Sequence, residues 1–312
     1  MTSTYAPTKY LFSGAGNNFV VFDGREGGMD EYRQPERIQA LCHEYATDGL
    51  MILTTPCHSD YSCHSERPCH SERSEESKSY DFSMEFYNPD GSGGMMCGNG
   101  GRCIVAFADY LGLKPAAADG TWHFLAPDGP HEAVILEGTP TAGPSTGVDK
   151  SSGVCSIQKW TVRLKMIDVK GVTPMLNGYF LNTGTRHYVE FHDNVDAIDM
   201  EQEAKPIRWD KAFQPEGTNV NFVQVTEEGL KVRTFEKGVE GETLACGTGL
   251  TASAIAAYVK GIPEKVRDDI RHARPRPGIS YSLQCRRGDW LQVDFKPDLT
   301  DVFLTGPAEI IR

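Results

Sequence analysis

Several features are missing from this sequence, and each absence removes a class of function. There is no long basic run to offset the formal net charge of -12, which argues against a nucleic-acid groove or an anionic membrane surface as partner. A small polar or zwitterionic substrate stays open. No stretch approaches the roughly 18 consecutive apolar residues of a membrane span, and the opening MTSTYAPTKY lacks the charged-then-apolar layout of a secretory signal. The expected location is therefore the cytoplasm. A disulfide framework is missing too, since the nine cysteines are odd in number and irregularly spaced, as reduced thiols are. Neither a GxxxxGK[ST] loop nor a GxGxxG between a strand and a helix occurs, so nucleotide binding has little support.

What is present suffices for two ordinary domains. The chain has 312 residues and 39% hydrophobic content, enough to fill genuine cores. In the first half, Tyr10 to Asp23 carries the apolar run FVVF after the turn-like GAGNN, and Met84 to Tyr87 is a second β-like run ending at Asn88-Pro89-Asp90-Gly91. From Gly98 to Leu111 the sequence GNGGRCIVAFADYL is almost wholly small or apolar apart from Arg102 and Asp109, and Gly112 follows as a C-terminal cap. A helix apolar on nearly every side is a buried one.

A shift of 149 residues lays Phe86 on Phe235, Cys97 on Cys246, Gly98 on Gly247, Gly100 on Gly249, Ala108 on Ala257 and Gly112 on Gly261. In both halves a β-like run leads through a Gly-containing turn to Cys-Gly-polar-Gly and then to a buried-type helix ending at Gly. The chain reads as a duplicated domain with one cysteine at the N-cap or first turn of each central helix. The change of domain is expected near residues 113 to 121, where LKPAAADGT ends the first helix and the strand pattern restarts, giving domains 1-117 and 118-312, with the last strand free to cross back to the first domain.

Three segments interrupt this plan. Residues 57 to 79 are a tandem hexamer (CHSDYS, CHSERP, CHSERS) with a charged tail and no apolar period, which reads as an inserted surface loop. Its Cys57, His58, Cys63, His64, Cys69 and His70 are soft zinc-type donors, but without CxxC pairs or apolar surroundings the repeat reads as low complexity, and no metal site is expected. Residues 138 to 155 have the composition of a flexible connection, and Ile262 to Gly278 is a Pro- and Arg-rich excursion. Cys42, Cys103, Cys155 and Cys285 have no partner logic and read as structural or loop thiols.

Cys97 in MMCGNGG and Cys246 in LACGTGL stand where a helix dipole and unpaired N–H groups favour negative charge, which is expected to lower a thiol pKa. Taken singly, a free cysteine is most often a small buried apolar side chain. Two at equivalent steps of a repeat, each followed by Gly-x-Gly, read instead as a base or nucleophile. The glycines let the backbone approach a ligand closely, and two facing helix N-termini would hold a carboxylate between their N–H groups.

Five blocks then stand in the order seen in one enzyme family: Gly14-Ala15-Gly16-Asn17-Asn18-Phe19; Asn88-Pro89-Asp90-Gly91-Ser92; Met96-Cys97-Gly98-Asn99-Gly100; Asn219-Val220-Asn221-Phe222; and Glu236-Lys237-Gly238 with Glu242-Thr243-Leu244-Ala245-Cys246-Gly247-Thr248-Gly249. By these blocks the chain resembles the diaminopimelate epimerases over nearly its whole length outside the three irregular segments. The resemblance implies an α+β fold of two pseudo-symmetric domains, each an antiparallel-rich sheet curled around a central helix, with the active site in the interdomain cleft. It implies interconversion of LL- and meso-diaminopimelate with no pyridoxal phosphate and no metal, in lysine and peptidoglycan-precursor biosynthesis.

On that resemblance Cys97 and Cys246 are the acid and base, one thiolate and one thiol acting on opposite faces of the α-carbon. The α-carboxylate would lie on the N–H groups of Gly98-Asn99 and Gly247-Thr248. Asn17, Asn88, Asn219, Glu236 and Lys237 would hold the remaining ammonium and carboxylate groups. The family also suggests a homodimer. Three positions depart from the pattern: Lys237 stands where Arg is usual and would exchange a bidentate clamp for a single contact, Thr185 replaces an Asn, and Asn18 replaces an Asp. The alternatives are a proline- or hydroxyproline-racemase-like enzyme of the same architecture and a non-catalytic thiol-redox or binding protein.

Overall fold

The computed structural model describes residues 6–56, 80–94, 96–138, 158–267 and 278–311. The tandem hexamer at 57–79, most of the connection at 138–155 with its Cys155, and residues 268–277 of the Pro- and Arg-rich excursion lie outside them.

The first half runs β1 (Lys9–Gly14), β2 (Asn17–Asp23), α1 (Pro35–Tyr45), β3 (Leu50–Thr54), β4 (Phe82–Tyr87), α2 (Gly98–Tyr110), β5 (Thr121–Ala126), β6 (Gly129–Gly138) and β7 (Lys159–Lys165). The second runs β8 (Val172–Met175), β9 (Gly178–Asn182), β10 (Arg186–Phe191), α3 (Met200–Arg208), β11 (Asn219–Val225), β12 (Leu230–Glu236) and β13 (Gly241–Thr243). It ends with α4 (Gly247–Val259), β14 (Ile279–Gln284), β15 (Trp290–Phe295) and β16 (Phe303–Ile311).

The two halves repeat the same sequence of pairing senses. From β1 to β6 neighbouring strands pair antiparallel, parallel, antiparallel, parallel, antiparallel. Along β9, β10, β11, β12, β14 and β15 the same alternation recurs. Even the register repeats, since the Met51–Phe86 pair of β3 and β4 has its counterpart in Val220–Phe235 of β11 and β12. The final strand, β16, pairs antiparallel with β7 and with β15, and its end reaches β1 through Leu11 and Ile311.

Each half wraps its strands around one helix. The strands facing α2 alternate inward and outward, as half-buried strands do: Phe82, Met84 and Phe86 on β4, Trp122, Phe124 and Ala126 on β5, and Trp160, Val162 and Leu164 on β7 are all buried. They close over Ile104, Val105, Phe107 and Ala108 of α2. Each of the large side chains contributes about 1.5–3 kcal/mol by leaving water. The Ala-rich α4 takes the corresponding place among β9, β10, β11, β12, β14 and β15. Continuous apolar runs arise where a strand is covered on both faces. Val20 and Phe22 of β2, with Leu50 and Ile52 of β3, turn outward under Ile38, Leu41 and Cys42 of α1, while Val21, Met51 and Leu53 turn inward. Tyr188, Val220 and Phe222 are covered in the same way by Met200 and Ala204 of α3.

This layout moves the expected domain division. Residues 113 to 121 form only the link from α2 to β5, because β5 pairs parallel with β4 through Phe82 and Phe124. β6 and β7 also pack on α2, so the chain leaves the surroundings of α2 after Lys165 and not near residue 117. A composition change marks a loop, but strand pairing decides which sheet the next strand joins. Among the described residues no helix is long and apolar enough to cross a membrane.

Candidate active site

Both central helices begin at a cysteine. Cys97 and Cys246 are the N-cap residues of α2 and α4, each in an extended backbone conformation before the helix begins at glycine. The glycines are required by proximity, since α2 and α4 meet end to end: a Cβ added to Gly247 would lie 3.5 Å from the Gly98 Cα and 2.9 Å from Leu304 Cδ2. Two helix N-termini therefore converge across the boundary between the halves, with their N–H groups and positive dipole ends directed at the same space.

That space is a cavity of about 1230 Å³. Its wall includes every residue singled out from the sequence: Cys97, Gly98 and Asn99 with Asn17 and Asn88 from the first half, and Asn219, Glu236, Lys237, Cys246, Gly247 and Thr248 from the second. Thr185 lies on the wall as well, so two of the three departures from the motif pattern face the cavity. The sequence reading did not anticipate Asp48, Tyr80, His123, Asp128, His131 and Glu132, which also line it. They come from the α1–β3 and β3–β4 connections and from the β5–β6 hairpin, which carry no motif.

Several of these side chains are already committed within the protein. Asn99 spans the halves, donating from Nδ2 to Asn17 Oδ1 and to the Ala245 carbonyl (3.3 Å). The Asn219 amide donates to the Arg186 carbonyl (3.1 Å) and the Thr185 hydroxyl (3.3 Å), while its oxygen accepts from the Lys237 N–H (2.7 Å). Asn88 donates to Ser92 Oγ (3.0 Å) within its turn. The amides thus build the walls of the cavity as well as facing it.

The thiols are set differently. Cys97 Sγ accepts from the Gly100 N–H at 3.2 Å, and Cys246 Sγ lies 3.4 Å from the Thr248 hydroxyl. Burial pushes both above the ordinary thiol range, opposing the lowering expected from the helix ends alone. For Cys97 the Gly100 N–H pulls back down, the charge of Glu236 pushes up and that of Arg102 pulls down. For Cys246, Glu236 adds to the effect of burial, and the Thr248 hydroxyl opposes it. Loss of water around a thiolate outweighs one or two N–H contacts. Glu236 is itself raised, first by burial and further by the charge of Asp48.

Behind Thr248 lies His187, fully buried on β10 and absent from the sequence-based site. Thr234 Oγ1 donates to Asn221 Oδ1 (2.9 Å), which orients that amide so that its Nδ2 donates to His187 Nδ1 (3.0 Å). The ring proton then sits on Nε2, which faces Thr185 Oγ1 at 2.9 Å and Thr248 Oγ1 at 3.0 Å. Burial pulls the His187 pKa down to about 3, so the ring is neutral at ordinary pH. The only sequence signal was a histidine on a strand beside a glycine turn, which periodicity does not distinguish from a packed one.

Known proteins resemble this chain over nearly its whole length. A protein from Chlorobaculum tepidum named diaminopimelate epimerase is 33% identical over 308 residues, spanning 96% of this chain and 97% of the relative. The chain belongs to the diaminopimelate epimerase family. A diaminopimelate epimerase from Aquifex aeolicus is also 33% identical, over 95% of this chain and 93% of its own, and the family model described as diaminopimelate epimerase matches residues 179–272. Membership makes the protein an isomerase of the epimerase kind. Solved structures share the fold at low identity. A phenazine biosynthesis protein PhzF family member from Enterococcus faecalis superposes with a TM-score of 0.56 at 13% identity, covering 97% of this chain and 96% of that one. A probable proline racemase from Agrobacterium radiobacter does so at 0.54 and 13%, covering 98% and 89%. The two-half architecture around central helices is thus common to proteins with different names.

Proposed function

We propose that the protein interconverts LL- and meso-2,6-diaminopimelate, with Cys97 and Cys246 as the acid–base pair. The observation that carries this reading is the convergence of two cysteine-capped helix N-termini at Gly98 and Gly247. Inversion of a stereocentre needs a base on one face of the carbon and an acid on the other, and a duplicated fold provides matched groups from opposite sides.

In this reading one cysteine, as thiolate, takes the α-proton, so that a C–H bond breaks and an S–H bond forms. The other, as thiol, delivers its proton to the opposite face, and the two exchange roles in the reverse direction. The α-carboxylate rests on the N–H groups of Gly98-Asn99 and Gly247-Thr248, which also stabilise the negative charge that builds up as the proton leaves. Asn17, Asn88, Asn219, Glu236 and Lys237 orient the amino groups and the distal carboxylate. Lys237 gives that carboxylate a single ammonium contact where a guanidinium would give two parallel bonds. The product would serve lysine and peptidoglycan-precursor synthesis.

The test is incubation of the reduced protein with LL-diaminopimelate in D2O, with proline and hydroxyproline in parallel, following α-deuterium uptake. Uptake with diaminopimelate and formation of the meso isomer are expected. Uptake with proline alone overturns the substrate assignment, and no uptake with any of the three overturns the epimerase reading.

A further inference from the structure

The two helix starts are built alike but charged differently. In α4, Thr251 Oγ1 donates to the Gly247 carbonyl at 3.0 Å. At the same step of the repeat in α2 stands Arg102, whose Nη1 donates to the Gly98 carbonyl, also at 3.0 Å. Its other donors reach Asn99 Oδ1 (Nη2, 2.8 Å) and the Pro307 carbonyl of β16 (Nε, 3.3 Å). Arg102 is fully buried and all three acceptors are neutral. A guanidinium stays protonated even when burial lowers its pKa, as it does here, so a full positive charge sits one turn behind Cys97 with only uncharged groups bonded to it. Thr251 places no such charge behind Cys246.

The ionisable groups around the pair sharpen the asymmetry. Cys97, Cys103, Cys285 and Asp289 face Arg102, and Glu309 faces Cys103. Asp289 and Glu309 each lie 3.6 Å from Arg287, and Glu309 lies 3.2 Å from Lys159, so those carboxylates are engaged with other cations. The charge of Glu236 raises both thiols, second only to burial at Cys246, whereas at Cys97 it stands behind the Gly100 N–H and is opposed by Arg102. A backbone N–H lowers each thiol, that of Gly100 at 3.2 Å from Cys97 Sγ and that of Gly249 for Cys246, which also faces the Thr248 hydroxyl, so the N–H groups match and the difference lies in Arg102.

We propose that Arg102 is a positioning residue that makes Cys97 the first of the two thiols to lose its proton, leaving Cys246 as the protonated partner in the singly deprotonated protein. Its catalytic meaning rests on the epimerase reading, but the order of deprotonation does not. In that form Cys97 is the base for whichever stereoisomer presents its α-proton to the first half, and Cys246 is the acid. The guanidinium also holds the Asn99 side chain and the Gly98 carbonyl, so the element that carries the charge fixes the first turn beside the thiolate.

The experiment uses the full chain without substrate. Iodoacetamide alkylation is followed as a function of pH, with each cysteine quantified by peptide mass spectrometry, in wild type, R102M and R102K. In wild type the alkylation midpoint of Cys97 is expected below that of Cys246. R102M should raise the Cys97 midpoint by about one pH unit, roughly a tenfold loss of thiolate below the midpoint, while R102K restores most of it and Cys246 is not raised. A purely structural role would make R102K and R102M equally disruptive. That result, an unmoved Cys97 midpoint in R102M, or Cys246 titrating first in wild type overturns the proposal. If R102M fails to fold, the wild-type order and R102K decide. Failure of deuterium uptake with Cys97 still titrating first would overturn the epimerase reading and leave this one standing.

Discussion

The beginnings of α2 and α4 are the most instructive pair of regions in the molecule. Both follow a strand that carries a repeated phenylalanine, both are capped by a cysteine, and both start with Gly-polar-Gly. Their surroundings differ. Beyond the glycine N–H that acts on each sulfur, Cys97 has a buried guanidinium behind its helix turn; Cys246 has the Thr248 hydroxyl, backed by the neutral His187 ring. Duplication supplies the matched positions, and later divergence makes the two ends chemically unequal. An epimerase needs both properties, since the acid and base must occupy equivalent places while holding different protonation states.

The comparison breaks most severely when either thiol is removed. Cys97→Ala and Cys246→Ala are each expected to lower kcat by roughly 10²–10⁴, the range of a lost general acid or base, measured as meso-diaminopimelate formation. Near-normal turnover in either variant would exclude the two-base mechanism. Next in size is Gly247→Ala, whose methyl would press on Leu304 and on the Gly98 backbone. Separation of the two helix ends by up to about 1 Å is expected to reduce kcat/KM by as much as about 100-fold, with an overpacking cost of about 1–3 kcal/mol in thermal stability. An unchanged kcat/KM would show that the close approach of the helices is only packing.

A smaller effect concerns pH and belongs to the second half alone. His187 has a folded pKa of about 3, below its value in an unfolded chain, so between that pKa and roughly 6.5 the unfolded state binds a proton that the native state does not. Its contribution to stability is complete above the unfolded value and is lost as pH falls, with a slope of about 1.4 kcal/mol per pH unit. Urea denaturation of His187→Gln against wild type between pH 7 and 4 should show the variant losing stability less steeply. Parallel curves would mean that the ring is protonated in the folded protein. Smallest of all, Thr251→Val removes the hydrogen bond to the Gly247 carbonyl and should cost about 1 kcal/mol by thermal unfolding, without altering the titration of Cys97.

Much of this site was legible in the sequence because its chemistry lies in short motifs at repeated positions. Cys97, Cys246 and the neighbouring glycines, asparagines and Glu236 all reach one cavity. Arg102 carried a signal that was read only as an exception: one cation inside a helix apolar on nearly every side must find a buried set of acceptors. Asp109, the other polar residue there, meets Trp160 Nε1 at 3.0 Å. His187 and the wall from Asp128 to Glu132 carried no such signal, because their place in the site depends on strand pairing and not on neighbouring residues.

By itself the sequence determined the local elements, the duplication and the pairing of two thiols with two helix starts, since each of these follows from period, turn chemistry and repeat spacing over a few tens of residues. Only the tertiary structure decided which strands close around which helix, moving the passage between halves past Lys165. It also decided the electrostatic state of the thiols. Burial depends on everything that packs around a group, and desolvation and a charge from Arg102 reach Cys97 through space that the order of residues does not record.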